Sequence, residues 1–371
     1  MKTERKPIDR FFFLTVLALL GVGIIIFISA SFGILAKNET KFYGVLFNQL
    51  IFGVGGGLIA LSVASKIPYK FWRNYSLYLF IASIAITLLV FVPALGFSHG
   101  GARRWISLGP VSFQPVEFLK IGFVIYFAAW LSWVKNRVSD IRFGVLPLVI
   151  LLSIIALVLF KQPDTKSFML MLAAALSMLF VSGISWKYII GLLVGGALAL
   201  GILVAAKPYL FERVQTFLNP SHDAAGSSYQ LIQSLNAIGS GGIFGRGLGQ
   251  SVQKFSYLPE PQGDSIFAVV GEEFGFVGAT GLIVLFIIFC LRGLWIASRI
   301  QDAFGRLLVV GIVILLVAQS FLNIASIIGV FPLTGVPLVF ISHGGTALLI
   351  ALFAVGIVLN VSRSLPQKEK E

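Results

Sequence analysis

Residues 188–206 read Tyr-Ile-Ile-Gly-Leu-Leu-Val-Gly-Gly-Ala-Leu-Ala-Leu-Gly-Ile-Leu-Val-Ala-Ala, and no side chain in the run carries a charge. A helix of about 20 such residues, rising 1.5 Å each, crosses the roughly 30 Å hydrocarbon core of a bilayer. Working outward in both directions, runs of the same kind recur. Together they predict ten helices at roughly 11–36, 45–65, 77–96, 112–134, 144–160, 167–184, 188–206, 266–292, 305–329 and 346–363. The apolar stretches are continuous rather than alternating, which excludes a β-barrel. Composition agrees: 57% hydrophobic and 12% charged residues, with a mean hydropathy of +0.96, against about 25% charge in soluble domains. The expected fold is an all-α polytopic membrane protein with ten transmembrane helices in a single domain over 1–371. A large extracytoplasmic loop, 207–265, separates helices 7 and 8, and the tail 364–371 is expected to be disordered. The first run is of full spanning length and lacks a small-residue cleavage site, so it reads as a span and not as a cleaved signal.

The net charge is +13. Basic and aromatic residues do not interleave on any soluble segment, which argues against nucleic acid as a partner. The charge instead sets orientation. With the N-terminus inside, the inner segments hold 17 of the 28 Lys and Arg residues by count, as the positive-inside rule requires. Both termini are then expected to be cytoplasmic. The four polar loops, 97–111, the turn at Pro163-Asp164, 207–265 and 330–345, all fall on the outer side, which points to one external site. Cys290 is the one cysteine, so neither an intramolecular disulfide nor a cysteine-based metal site is available. His99, His222 and His343 are too scattered to argue for zinc. No strong internal repeat and no paired broken helices of the inverted-repeat transporter kind are visible.

Several stretches could carry chemistry. Gln114-Pro115-Val116-Glu117 opens the fourth helix, with Pro115 suited to a first turn. Glu117 and Lys120 are three apart and share a helix face; the pair either locks packing or lets Lys120 neutralise an anion. Arg103 and Arg104 sit on the outer side against the charge trend, and guanidinium forks suit phosphate oxygens; interfacial anchoring beside Trp105 is the alternative. Asp164 reads as a helix N-cap. Six glycines between Gly239 and Gly249 follow no strand, so they permit tight backbone and do not form a dinucleotide fingerprint. Residues 228–238 have helix-like apolar spacing. Asp264, just before the eighth helix, is either a proton acceptor or an N-cap. Glu272 and Glu273 lie deeper and need a partner, with Lys120 or an arginine the candidates and proton conduction the alternative. The stretch from Gly335 to Thr346, with Ser342 and His343, suggests broken backbone lining a cavity.

These blocks occur in an order that resembles the SEDS family (shape, elongation, division and sporulation), whose members include FtsW, RodA and SpoVE. The matching residues are Gly101-Ala102-Arg103-Arg104-Trp105; Gln114-Pro115 with Glu117 and Lys120; Gln162-Pro163-Asp164; Gly226-Ser227 with Tyr229-Gln230; Ala237 to Gly242; Gly247 to Ser251; Tyr257-Leu258-Pro259-Glu260; Asp264 with Ile266 to Ala268; Gly271-Glu272-Glu273; and Gly335 to Leu338 through Ser342 and Gly344-Gly345. The likeness covers roughly 10–362.

That resemblance implies a peptidoglycan glycosyltransferase at the outer face of the bacterial cytoplasmic membrane. Its substrate would be lipid II, a disaccharide-pentapeptide on undecaprenyl pyrophosphate. It implies Asp264 as the catalytic acid-base residue. Arg103, Arg104 and Lys120 would hold the pyrophosphate, with Glu117, Gln114, Glu260, Ser342 and His343 about the substrate. Asp164, Glu272, Glu273, Tyr229 and Gln230 would support the site. No organic cofactor is implied, and a divalent cation, Mg or Mn, has a place at the pyrophosphate. The implied partners are a class B penicillin-binding transpeptidase and other divisome or elongasome proteins. Division and elongation both stay open, with the lean toward the FtsW-like side. A lipid II flippase and a scaffold that activates a transpeptidase are the competing functions. The chain departs from the family pattern with Gln262-Gly263 before the acid, Val116 after Gln-Pro, Thr165-Lys166-Ser167 after Pro-Asp, and His343 in Ser-His-Gly-Gly.

Overall fold

Among the described residues, seven helices are long and apolar enough to cross a membrane: Arg10–Leu35, Glu39–Ala64, Pro115–Val134, Trp186–Ala206, Ile266–Arg299, Ala303–Ile327 and Gly345–Ser362. Shorter apolar helices run Ser76–Phe91, Val145–Lys161 and Thr165–Val181. The structure, a computed structural model, describes residues 7–99, 102–108, 111–220, 223, 226 and 228–366. Expectations resting on Gly101, His222, Ser227 and the tail end 367–371 lie outside the described residues.

Burial sorts the helices. Gly345–Ser362 has 83% of its apolar window inside the protein, while Trp186–Ala206 has 6%. Both are apolar on every face, because in a membrane the outer surface of a helix meets lipid instead of water. The Glu39–Ala64 helix widens into a π-type turn over Asn48–Gly56. There Gln49 is buried and reaches across to the backbone of Ser342 and Gly344. At the other end of the bundle Asp9 caps the first helix and forms an ion pair with Arg292 at 2.6 Å.

Two expectations need correction. The fold is not purely α-helical: Gly96–His99, Ala102–Leu108 and Val111–Phe113 form a three-stranded antiparallel sheet in the order of the chain. Hydropathy windows of membrane length average over strands this short. Consequently the third span stops at Phe91, not 96, and the fourth helix starts at Pro115, whose fixed φ and missing N–H suit a first turn. Nor is 207–265 a simple loop. It contains the helices Pro208–Leu218, Tyr229–Ser240 and Gln253–Ser256.

The Ile266–Arg299 helix breaks at Gly275, which has φ 65° and ψ −163°. A Cβ there would lie 2.3 Å from the Gly245 nitrogen, so only glycine fits both the dihedral and the approach. The break frees two carbonyls and two amides in the helix. The glycine-rich loop takes them up: Arg246 N and Gly247 N donate to Glu272 O and Glu273 O, both at 3.0 Å. Phe276 N and Val277 N donate to Gly242 O and Ile243 O. The crowded glycines thus let the loop's backbone complete the helix's hydrogen bonding, which buried peptide groups require.

Candidate active site

The four polar loops converge at one end of the bundle and enclose a cavity of about 420 Å³. Backbone and side-chain bonds fasten them together. Arg104 on the sheet donates to Gln162 O (2.9 Å) and to Pro163 O. Lys166 donates to Gly335 O. Arg213 donates to Leu333 O, and His343 N donates to Gln262 O at 2.7 Å. Thr346 donates to Ser112 O at the foot of the sheet.

Asp264 lines this cavity with Glu260, Arg104, Trp105, Gln114, Lys166 and His343. Its carboxylate does not cap the following helix: Ser265 occupies the N-cap position, without a side-chain cap bond. The carboxylate instead points toward Gly335, where an added Cβ would lie 2.9 Å from Oδ2. With φ 63°, Gly335 both tolerates the left-handed backbone and leaves that space open. Behind Asp264, the buried Asn323 amide donates to Asp264 O (2.7 Å) and Val336 O (2.6 Å). Glu260 begins the tight turn into the acid, at φ 45°, and its carbonyl accepts from Gly263 N at 2.9 Å. Its carboxylate accepts from Gln262. A non-glycine residue held at positive φ is a backbone strain typical of built sites.

The sequence placed Asp264 opposite Lys120 and an Arg103–Arg104 pair; the structure rearranges that set. Lys120 does not line the cavity. It is buried, in an ion pair with Glu117 (2.8 Å) and donating to Gln319 (2.7 Å). Gln319 in turn donates to Pro337 O, so the pair supports the 335–337 segment from behind. Lys166, with Arg104, lines the cavity that holds Asp264, and it borders the same space at Gly335 without forming an ion pair. A Cβ on Gly335 would lie 3.8 Å from its Nζ. Arg103 is solvent-exposed and does not line the cavity. A β-bulge explains the difference: Phe97 pairs with Trp105 and Ser98 with Arg103, which leaves Arg104 unopposed. An extra residue in a strand re-aims its neighbours, so Arg104 and Trp105 reach the same cavity. Arg213, in the long loop, adds a further guanidinium close by. It donates to Leu333 O at 2.9 Å and to Thr334 O at 3.3 Å.

Ser342 is also placed otherwise than expected. It is buried, donates to Gly263 O and accepts from Leu338 N, both at 2.8 Å, so its hydroxyl positions the chain before Asp264. The Gly335–His343 stretch has no helix or strand and lines the cavity, as its Pro and Gly content suggested. His343 stacks on Phe27 at 6.1 Å. Burial, with a smaller effect of Lys41, lowers its pKa to about 4, so the ring is neutral near pH 7. Its Nε2 is sealed from solvent without a hydrogen-bond partner.

Among the supporting residues, Asp164 is the N-cap expected, accepting from Ser167 N and Ser167 Oγ. Tyr229 opens its helix, and Gln230 donates to Ser265 Oγ at 3.0 Å. Glu272 and Glu273 do not pair with Lys120. Glu273 binds Lys254 at 2.6 Å and accepts from Ser29, and Glu272 accepts from Ser251 Oγ and Val252 N with Arg246 at 3.5 Å. They clasp the long loop to the kinked helix, away from the cavity. Sequence reading missed Lys166, Asn323, Arg213 and Lys254. In the sequence Lys254 and Arg213 stand out only as loop charges, and Asn323 lies in an apolar run, where a lone amide is itself a signal. Among the described residues no cluster of three or more His, Cys, Asp or Glu side chains converges. Two carboxylates, Glu260 and Asp264, do line the cavity, a donor set that suits Mg when substrate phosphates complete the shell.

Comparison with known proteins follows the same lines. The family model for FtsW, RodA and SpoVE, described as "Cell cycle protein", matches residues 9–367. A Trichlorobacter lovleyi protein named "Probable peptidoglycan glycosyltransferase FtsW" is 40% identical over 97% of this chain and 96% of its own. The Bacillus subtilis "Stage V sporulation protein E" is 38% identical over 98% and 99%. Among solved structures, a chain described under "Structural coordination of polymerization and crosslinking by a peptidoglycan synthase complex" superposes with a TM-score of 0.79. It is 28% identical and covers 96% of this chain and 98% of its own. The Thermus thermophilus rod shape determining protein RodA gives a TM-score of 0.71 at 25% identity, over 97% and 98%. Sequence and fold agree that this multi-pass membrane protein belongs to the FtsW/RodA/SpoVE family.

Proposed function

We propose that the protein is a peptidoglycan glycosyltransferase that polymerises lipid II at the outer face of the bacterial cytoplasmic membrane. It would span the membrane ten times with both termini in the cytoplasm, and 207–265 would form the external lid of the site. The observation that carries the reading is the carboxylate of Asp264 in a cavity that also holds Arg104 and Lys166. The names of the relatives support it. Polymerisation needs a base for the acceptor sugar hydroxyl and cations for the diphosphate that leaves. Asp264 takes the hydroxyl proton. The freed oxygen bonds to the anomeric carbon of the donor sugar. The bond from that carbon to the diphosphate breaks, and its electron pair leaves with the diphosphate, beside Arg104. A cavity of about 420 Å³ is of ligand-pocket size; the apolar helix surface around it leaves the undecaprenyl chain in the bilayer. A divalent cation, when bound, would neutralise diphosphate charge, held by Glu260 and Asp264 with the substrate's own oxygens.

The neutral His343 ring and Gln114 shape the cavity wall. Asn323, Ser342 and the Glu117–Lys120 pair act through the backbone around Asp264 and Pro337. The related synthase complex, which couples polymerization to crosslinking, supports a transpeptidase partner, which we take to be a class B penicillin-binding protein. The test is polymerisation of labelled lipid II by the purified protein with that partner. Asp264→Ala should abolish glycan chains. An Asp264→Ala protein as active as wild type would overturn the assignment, and lipid II flipping without polymerisation would favour a transporter.

A further inference from the structure

Lys166 is the second residue of the Thr165–Val181 helix and is half-buried in the cavity wall. Its ammonium donates to a neutral backbone carbonyl, that of Gly335. Among the described residues no carboxylate lies within ion-pair distance of it. Asp264 Oδ2 and Lys166 Nζ nevertheless border the same small volume, the space a side chain at Gly335 would fill. Arg104 is fixed to the turn that starts the same helix, through Gln162 O and Pro163 O. Two cations therefore hang on one five-residue turn, 162–166, and both line the cavity across from the acid.

Their states differ. Arg104 is tied to two carbonyls. Lys166 has three donors on a flexible four-carbon stem, with one acceptor in its hydrogen-bond set. The ammonium–carbonyl bond pairs a cation with a dipole, whereas a bond to a diphosphate oxygen pairs it with a full opposite charge in a site shielded from bulk water, so an arriving diphosphate outcompetes Gly335.

Building on the function proposed above, we infer that Lys166 is the cation that receives the leaving diphosphate. It exchanges the Gly335 carbonyl for a diphosphate oxygen of the donor lipid, next to Arg104. As the bond between anomeric carbon and oxygen breaks, the diphosphate gains one negative charge, and the ammonium faces that charge without giving up a proton. The exchange also releases Gly335 beside Asp264 at the moment the acceptor hydroxyl must enter.

The experiment uses the full-length protein with its transpeptidase partner and lipid II, and compares wild type with Lys166→Gln and Lys166→Arg. Each is also inhibited with undecaprenyl diphosphate and with undecaprenyl monophosphate. Lys166→Gln should lower kcat/KM roughly tenfold to a hundredfold, the loss of one charge-assisted bond. It should also lose wild type's preference for the diphosphate inhibitor, and Lys166→Arg should restore most of both. A Lys166→Gln protein with wild-type kcat/KM and wild-type inhibitor preference overturns the inference. So does one whose thermal stability falls while its inhibitor preference persists, since Lys166 would then only pin Gly335. If Asp264→Ala remains fully active, the whole site assignment fails whatever Lys166 does. If Asp264→Ala is dead and Lys166→Gln is unaffected, only the role of Lys166 fails.

Discussion

Replacing Lys254 by methionine keeps the length of the side chain and removes its charge. Lys254 and Glu273 are both almost fully buried, at 2% and 1% exposure. The ammonium uses all three donors, on Glu273 (2.6 Å), Gly249 O (2.9 Å) and Ser29 Oγ (3.1 Å). After Lys254→Met, the Glu273 carboxylate keeps the Ser29 hydroxyl and a long contact from Ser251 N at 3.4 Å. Leaving one member of a buried pair uncompensated costs about 3–5 kcal/mol. For a chain of this size, about 2 °C of Tm per kcal/mol is a reasonable conversion, so the expected drop is roughly 6–10 °C. Neutralising both members, Lys254→Met with Glu273→Gln, should recover most of it, because a neutral buried replacement is close to balanced. Thermal unfolding of the detergent-solubilised protein at fixed pH measures all four corners of the cycle. A fall below about 2 °C for Lys254→Met, or a double variant as unstable as the sum of the singles, would refute the view that this pair clasps the loop to the helix.

Gly275→Ala should destabilise by about 3 kcal/mol or more, read as a loss of Tm or of folded yield, because φ 65° and a backbone nitrogen 2.3 Å away both oppose a Cβ. Gly281→Ala, with open space around it, is the neutral control. Asn323→Leu should lower polymerisation kcat roughly a hundredfold with little change in KM, since small displacements of a catalytic group are costly; an unchanged kcat would show that Asn323 does not position Asp264. His343 has a pKa near 4 in the folded protein against an ordinary 6.5. Between those values the unfolded chain binds the extra proton. Stability is therefore full above about pH 6.5 and falls as the pH drops toward 4, by roughly 3 kcal/mol in all. His343→Asn should flatten that slope in a Tm-against-pH series.

The helices were legible because apolar runs of membrane length leave little choice to a backbone that must satisfy its own hydrogen bonds. Each expected span meets an apolar helix, with ends moved by local chemistry such as Pro115. Asp164 as a cap was visible because a carboxylate just before an apolar run is a helix-start signal; Asp264, which the residues alone left between proton acceptor and N-cap, was singled out by the resemblance to the family. The sheet was not visible, since strands of three to seven residues fall inside one hydropathy window. Which cations share the cavity with Asp264 was not visible either. Helix spacing gave Lys120 its partner Glu117, and that same local pairing keeps it from the cavity. Lys166 arrives through the packing of the 163–166 turn on 335, a contact between positions 169 residues apart. The aim of Arg104, and not Arg103, depends on a bulge that only pairing reveals.

The broken helix also alters the order in which the protein comes apart. Hydrogen exchange normally reaches loops first and core helices last. Here the amides of Arg246 and Gly247, in the most glycine-rich part of the chain, are held by helix carbonyls. Those of Phe276 and Val277, inside a long apolar helix, are held by that loop. Both pairs bridge the same break, so separating loop from helix there frees all four amides together. By the clock of deuterium uptake, residues 242–247 and 272–277 form one cooperative unit stitched from two distant parts of the chain, and they should lose protection at a single rate.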